Sequence, residues 1–247
     1  MKFLPLFGLA TFTFLPLAAA DLTVVQSVES NTGTHKVNLK IKGERARVEV
    51  EVNPNVSMIV DSKSGEVIKI EHDQKTFLHF DKDKVKEIED RMRATSSLEI
   101  ATPKPTGTKE KINGYEAEEY TAETPTYKAS YWVAKTYPRF QEILTQMKLL
   151  QKSIFASVRK PMPEYYDFPG LPIRTKIKFQ DQPEVTITIT SVSQAPLPDS
   201  DFSAPPGYTK MELPVWRAGT PPPPKVTPAN ESKSPTPTAT AMPAVTP

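Results

Sequence analysis

Between Leu22 and Phe80 apolar residues recur at every second position, the mark of strands with one buried face. His35–Lys42 sets Val37, Leu39 and Ile41 on one side and Lys36, Asn38, Lys40 and Lys42 on the other. Beyond a turn at Gly43, Ala46, Val48, Val50 and Val52 face one way, while Arg45, Arg47, Glu49 and Glu51 face the other. Val56, Met58 and Val60 continue the series to a turn at Asp61–Gly65. Val67–Glu71 and Thr76–Phe80 then pair around His72–Lys75. This pattern predicts an antiparallel meander with one wet face and one apolar face.

The period then changes. Over Lys82–Arg93, Val85, Ile88 and Met92 form a narrow helical stripe, with Glu87/Arg91 and Glu89/Arg93 spaced for pairing. Ala101–Thr108 reads as a Pro-rich loop. Asn113-Gly114 inside Lys111–Thr121 is a hairpin turn, and Tyr127–Ala134 is a further strand. A longer helix is predicted over Arg139–Arg159, with Phe140, Ile143, Leu144, Met147, Leu150, Ile154 and Val158 on one face and Leu149 and Phe155 widening it. A loop at Pro161–Pro172 leads to strands at Ile173–Phe179 and Val185–Val192. An extended segment through Phe202, Pro205–Tyr208 and Leu213 closes the domain. About nine strands and two helices, without strict alternation, exclude a doubly wound fold. The prediction is an α+β domain, a curved antiparallel sheet (an incomplete barrel) with the helices on its concave face.

Composition bounds the ends. Lys2, the apolar stretch Phe3–Leu17 and Ala18-Ala19-Ala20 read as a secretory signal cut between Ala20 and Asp21. Pro5 and Pro16 interrupt the stretch and it falls short of a full span, so an uncleaved anchor is the weaker alternative. From Ala218 onward nine residues are proline and almost none is large and apolar. That end cannot offset its ordering entropy, which predicts an extended tail: a solvated terminus, a spacer or a ligand for a partner. The expected organisation is therefore a signal at 1–20, one domain at 21–217 and a Pro/Thr-rich tail at 218–247. There is no cysteine, hence neither disulfide nor thiol lipidation after the cut. A formal charge of +2, one less once Lys2 leaves, argues against nucleic acid as a partner.

Candidate chemistry is sparse. His72, Asp73 and His79 match no zinc spacing, and His72 reads as the solvated edge of a hairpin. No nucleophile elbow, phosphate loop or cysteine nucleophile is present. Glu116 and Glu118 share one strand face, whereas a carboxylate pair for glycoside chemistry must span a cleft. The chain is accordingly expected to be non-catalytic, with no metal and no cofactor. Tyr131-Trp132 and Tyr165–Phe168 read as core and loop anchors, or as ligand-stacking positions. If the apolar faces enclose a cavity, its lining is Val48, Val50, Met58, Val60, Leu78, Phe80, Tyr127, Tyr131, Phe140, Ile143, Leu144, Met147, Ile177 and Phe179. Parity alone leaves packed core and cavity lining both open.

The segments DLTVVQSVES, KVNLKIKGERARVEVE, SMIVDSKSGEVIKIEHDQKTFLHF, KASYWVAK, IRTKIKF, PEVTITITSV and DFSAPPGY, in that order, resemble the exported lipoprotein-carrier superfamily typified by LolA, LolB and RseB. The stretches around Gly43 and Gly65 look closest to an uncharacterised bacterial family of exported proteins, a domain-of-unknown-function group with this fold. The resemblance runs to about Leu213 and implies a half-barrel around an apolar cavity in the periplasm of a Gram-negative-type cell. It implies a lipid or acyl-chain ligand or, alternatively, an envelope protein partner sensed by a module that holds no ligand. Two departures matter: without a cysteine the chain is no tethered acceptor, and no arginine here matches the carriers' functional basic residue.

Overall fold

The computed structural model describes residues 21–51, 55–94, 101–151, 162–180 and 182–212. The predicted signal, the tail after Ala218, Val52 and the helical positions Ile154, Phe155 and Val158 lie outside them. The strands are Leu22–Ser30 (β1), Gly33–Lys42 (β2), Arg45–Glu51 (β3), Val56–Asp61 (β4), Glu66–Glu71 (β5) and Thr76–Phe80 (β6). Helix Lys82–Ala94 (α1) precedes Lys104–Ile112 (β7), Tyr115–Thr124 (β8) and Tyr127–Ala134 (β9). Helix Phe140–Gln151 (α2) precedes Leu171–Phe179 (β10), Val185–Ser193 (β11) and Thr209–Met211 (β12). All twelve strands join one open sheet in the order β12-β6-β5-β4-β3-β2-β1-β11-β10-β9-β8-β7. The α+β class, a curved antiparallel sheet with two helices, is what the periodicity predicted.

The strand tally differs for physical reasons. Ala101–Thr108 is not all loop, because β7 begins at Lys104 and carries Pro105. Proline is tolerated there since β7 is an edge strand, and a register shift between Pro105 and Lys109 absorbs the misfit. β12 is the exception to antiparallel pairing: it adds in parallel to β6 at the opposite edge.

Local signals explain the elements. Asp81 caps α1, its Oδ1 accepting the amide of Lys84 at 2.9 Å. Glu87 and Arg91 pair at 2.6 Å along the exposed side of the helix. Asn113 and Gly114 both take positive φ (49° and 87°), the geometry of a tight hairpin turn. The Asn113 amide also donates to the Ile189 carbonyl at 2.8 Å, tying that turn to β11. Gly170 has no room for a Cβ, which would lie 2.6 Å from the Ala134 carbonyl oxygen.

Directly opposed residues of antiparallel strands share a face. Val48 opposes Met58, and Ala46 opposes Val60, which opposes Val67. α2 sets Ile143, Leu144 and Met147 into a cluster with Leu39, Ile41, Ala46 and Val48, whereas α1 sets Val85 against Met58, Val60, Val67 and Phe80. Both helices therefore cover the same face. Each fully buried large side chain on α2 contributes roughly 1.5–3 kcal/mol. The other face is not uniformly wet as the alternation suggested. Ile59 and Ile70 are buried there under Phe202, with Ile68, Phe77, Leu197 and Tyr208 packed around them. Strand β9 departs from alternation in its second half, where Tyr131, Trp132, Val133 and Ala134 are all buried.

Candidate functional site

The residues expected to line a cavity fall into separate clusters. Val48, Phe140, Ile143, Leu144 and Met147 belong to the α2 core. Tyr127, Tyr131, Ile177 and Phe179 belong to a second cluster around Phe168. Met58, Val60 and Phe80 lie beneath α1. Val50 and Leu78 share the face of Met58 by register and are half-buried outside these clusters.

Where α2 meets the segment Tyr165–Pro169, an open cleft of about 320 Å³ remains. Phe140, Leu144, Phe168 and Pro169 give it apolar walls, and Gln141, Thr145, Lys148 and Tyr166 its polar rim. The Lys148 ammonium stands 5.0 Å from the Tyr166 ring centre, and Tyr166 is an exposed large aromatic. Phe168 forms the boundary between this cleft and a buried aromatic group, its ring 4.7 Å from Tyr131 and 6.0 Å from Tyr120. Beneath it the Tyr127 and Tyr131 hydroxyls hydrogen-bond to each other. Burial pushes the Tyr127 phenol up to about 12 and raises Tyr131 as well.

A polar site on the face opposite α1 and α2 was not anticipated. The segment Leu197–Tyr208, a strap, crosses β2 to β6 there. Asp199 lies 2.6 Å from Arg45 and 3.2 Å from Lys42, while Asp201 lies 3.1 Å from Lys40. Arg47, only 7% exposed, donates to the Asp201 carbonyl at 2.9 Å and to the Ser57 hydroxyl at 3.3 Å. Ser57 Oγ is 2.6 Å from His72 Nε2, and His72 Nδ1 is 3.0 Å from the Tyr208 hydroxyl. His72 is thus a bridge between sheet and strap, not a solvated hairpin edge, because Tyr208 folds back over it. The hydroxyl–imidazole contact is that of an activated nucleophile. Ser57 is nevertheless 1% exposed, and its third partner is a phenol where a triad holds a carboxylate. The arrangement binds a chain segment. Its sequence signal was the apolar Ile59, Ile68 and Ile70, on the face that alternation reserves for polar residues.

The carboxylates near the Asn113-Gly114 turn pair with lysines, Glu116 with Lys109 at 2.9 Å and Glu118 with Lys135 at 2.6 Å. The hydrogen bond from Lys135 holds the Glu118 carboxyl below its usual range, the opposite of what a general acid needs. Among the described residues no three metal-ligating side chains converge, and no helix is long and apolar enough to cross a membrane.

A family profile described as a domain of unknown function, DUF4412, matches residues 22–208. No curated protein matches the chain. Solved structures with a detectable likeness include PNGF-II, at 12% identity over 79% of this chain and 32% of that one, TM-score 0.38. The MucA/MucB complex of Pseudomonas aeruginosa aligns at 12% identity over 83% of this chain and 62% of that one, TM-score 0.43. A DUF1329 family protein from Desulfovibrio piger aligns at 9% identity over 76% and 91%, TM-score 0.22. The chain thus spans about a third of PNGF-II and under two thirds of the MucB-complex chain.

Proposed function

The chain belongs to the DUF4412 family, and from its own geometry we propose that it is an exported, periplasmic, non-catalytic binding protein for a lipid or other apolar ligand. The observation that carries this reading is the cleft between α2 and Tyr165–Pro169. Its volume, about 320 Å³, lies at the lower end of the range typical of small-molecule sites. Apolar walls with a cation at the rim suit a ligand with a hydrocarbon body and a polar end. The predicted signal at 1–20 supports export, and the paired carboxylates of Glu116 and Glu118 support a role without acid–base chemistry.

The test is lipid extraction and mass spectrometry of the full chain purified without detergent. An acyl compound should co-purify with the natural protein. It should be lost from Thr145→Trp, which fills the cleft from an exposed position of α2. Extracts free of acyl compounds, or equally loaded in both proteins, would overturn the reading. A second reading, an envelope protein-interaction module with no ligand, is favoured by one observation: twelve of the fourteen lining residues belong to packed clusters. The Pro-rich tail after Ala218 would be one contact with such a partner.

A further inference from the structure

The strap Leu197–Tyr208 is held in an unusual way for a segment lying on a sheet. Among the described residues, no main-chain to main-chain hydrogen bond joins it to the strands beneath, and the first such bond is Thr209 to Lys75 at 2.9 Å. Side chains do the holding. Arg47 grips the Asp201 carbonyl, Lys42 the Leu197 carbonyl at 2.5 Å, and Asp21 the Leu197 amide at 2.7 Å. Two acids, one buried aromatic and the Tyr208 hydroxyl on His72 supply the rest. Asp199 sits between Lys42 and Arg45, Asp201 meets Lys40, and Phe202 fills the hollow over Ile59 and Ile70 with the Arg45 guanidinium 5.1 Å from its ring centre.

Such a seat takes hold of the strap's acids, its ring, two of its carbonyls and one of its amides, all through side chains. Its ion pairs are partly solvent-accessible and individually modest, so the hold is shared among them, the buried Arg47 contact and Phe202. A peptide with the same order of groups can satisfy every contact. The chain's own strap prevails by being tethered, which gives it a high effective concentration. We propose that this face is a docking site for an acidic–aromatic peptide of a partner protein, with Asp-x-Asp-Phe chemistry, and that Asp199–Phe202 is its resident competitor. The cations Lys40, Lys42 and Arg45 select the acids, Arg47 holds a backbone carbonyl, and the Ile59/Ile70 hollow selects the aromatic ring. This site is on the face opposite α2, and the inference is independent of ligand binding in the cleft.

The test uses the full chain and a labelled synthetic peptide of residues 195–208, followed by fluorescence anisotropy. Asp199→Ala combined with Phe202→Ala should empty the seat, seen as faster hydrogen exchange at the Thr209 amide. It should bind the peptide at least ~10-fold more tightly than the unaltered chain does. Arg45→Glu added to that variant should reverse the gain, as should replacing both peptide aspartates by asparagine. Where the double variant fails to fold, Asp199→Asn with Asp201→Asn, which leaves Phe202 in place, is read the same way. An emptied seat that takes no peptide, or takes it regardless of Arg45→Glu, overturns the proposal. So does continued protection of the Thr209 amide, which would mean that the strap is held by more than side-chain docking. A concentration-dependent dimer of the unaltered chain would assign the seat to the strap of a second copy and overturn it as well.

Discussion

The two faces of the sheet are covered by opposite means. On one, α1 and α2 lay apolar side chains on apolar strands, and the buried groups are Ile143, Leu144, Met147 and Val85. On the other, an irregular strap is fixed by Arg45, Arg47, Lys42 and His72, with Phe202 as its buried anchor. The difference is one of cooperativity. A helix satisfies its own backbone and can bury a continuous stripe, so its cover is part of the core. The strap must borrow donors from side chains, so its hold is divisible and can be lost locally without unfolding the sheet.

The largest effect expected from breaking this contrast is at Met147, which is fully buried on the inner face of α2. Met147→Ala should cost about 2–5 kcal/mol in denaturant unfolding if the helix face is packed core. A cost below about 1 kcal/mol would identify that face as a cavity wall. Arg47→Ala should follow, at about 1.5–3 kcal/mol, because it strips charged donors from the Asp201 carbonyl and from Ser57. Its signature is early exchange of the strap amides, ahead of global unfolding.

Titration separates the faces further. The buried phenols Tyr127 and Tyr131 lie above the ordinary value of 10.0, Tyr127 at about 12. A raised phenol contributes stability that is present below the ordinary value and lost as pH rises through the raised one. Ultraviolet phenolate titration should therefore find these tyrosines silent until strongly alkaline pH. Tyr131→Phe should shift Tyr127 higher still, because the bond from Tyr131 is what lowers it. On the strap, hydrogen bonds from Arg45 and Lys42 hold the Asp199 carboxyl below its ordinary value of 3.8. Its contribution is present above that value and fades as pH falls through the lowered one. Strap protection, expressed relative to the intrinsic exchange rate at each pH, should thus fall in acid, and Asp199→Asn should flatten that dependence. The smallest effect is on exposed α1, where Lys86→Ala, removing the pair with Asp90, should change stability by about 0.5 kcal/mol or less.

The helix-covered face was legible because burial imposes a period. Val37, Leu39, Ile41, Ala46 and Val48 alternate because one side of each strand meets α2. The candidate lining was legible only as apolar positions. Val60 and Tyr131 carry the same signal whether they touch a neighbour or a ligand, and their division into clusters needs three-dimensional distances. The strap site was hidden for another reason. Arg47, Ser57, His72 and Asp201 look like ordinary polar residues of strands and turns, and nothing local says that residues 154 positions apart, such as Arg47 and Asp201, will meet. β7 was missed because Pro105 and Gly107 argue for a loop, and only its place at the sheet edge makes them acceptable.

By itself, the sequence determined the class of fold, most strand positions, the starts of both helices and the Asn113-Gly114 turn. These follow from period and from backbone preferences that act within a few residues. Tertiary structure alone decided which strands became neighbours across the β1–β11 seam, that both helices share one face, and that the chain returns through Phe202 and Tyr208 to cover the other. Those outcomes depend on which distant surfaces fit together. Packing and charge pairing select that fit only when the chain is closed on itself.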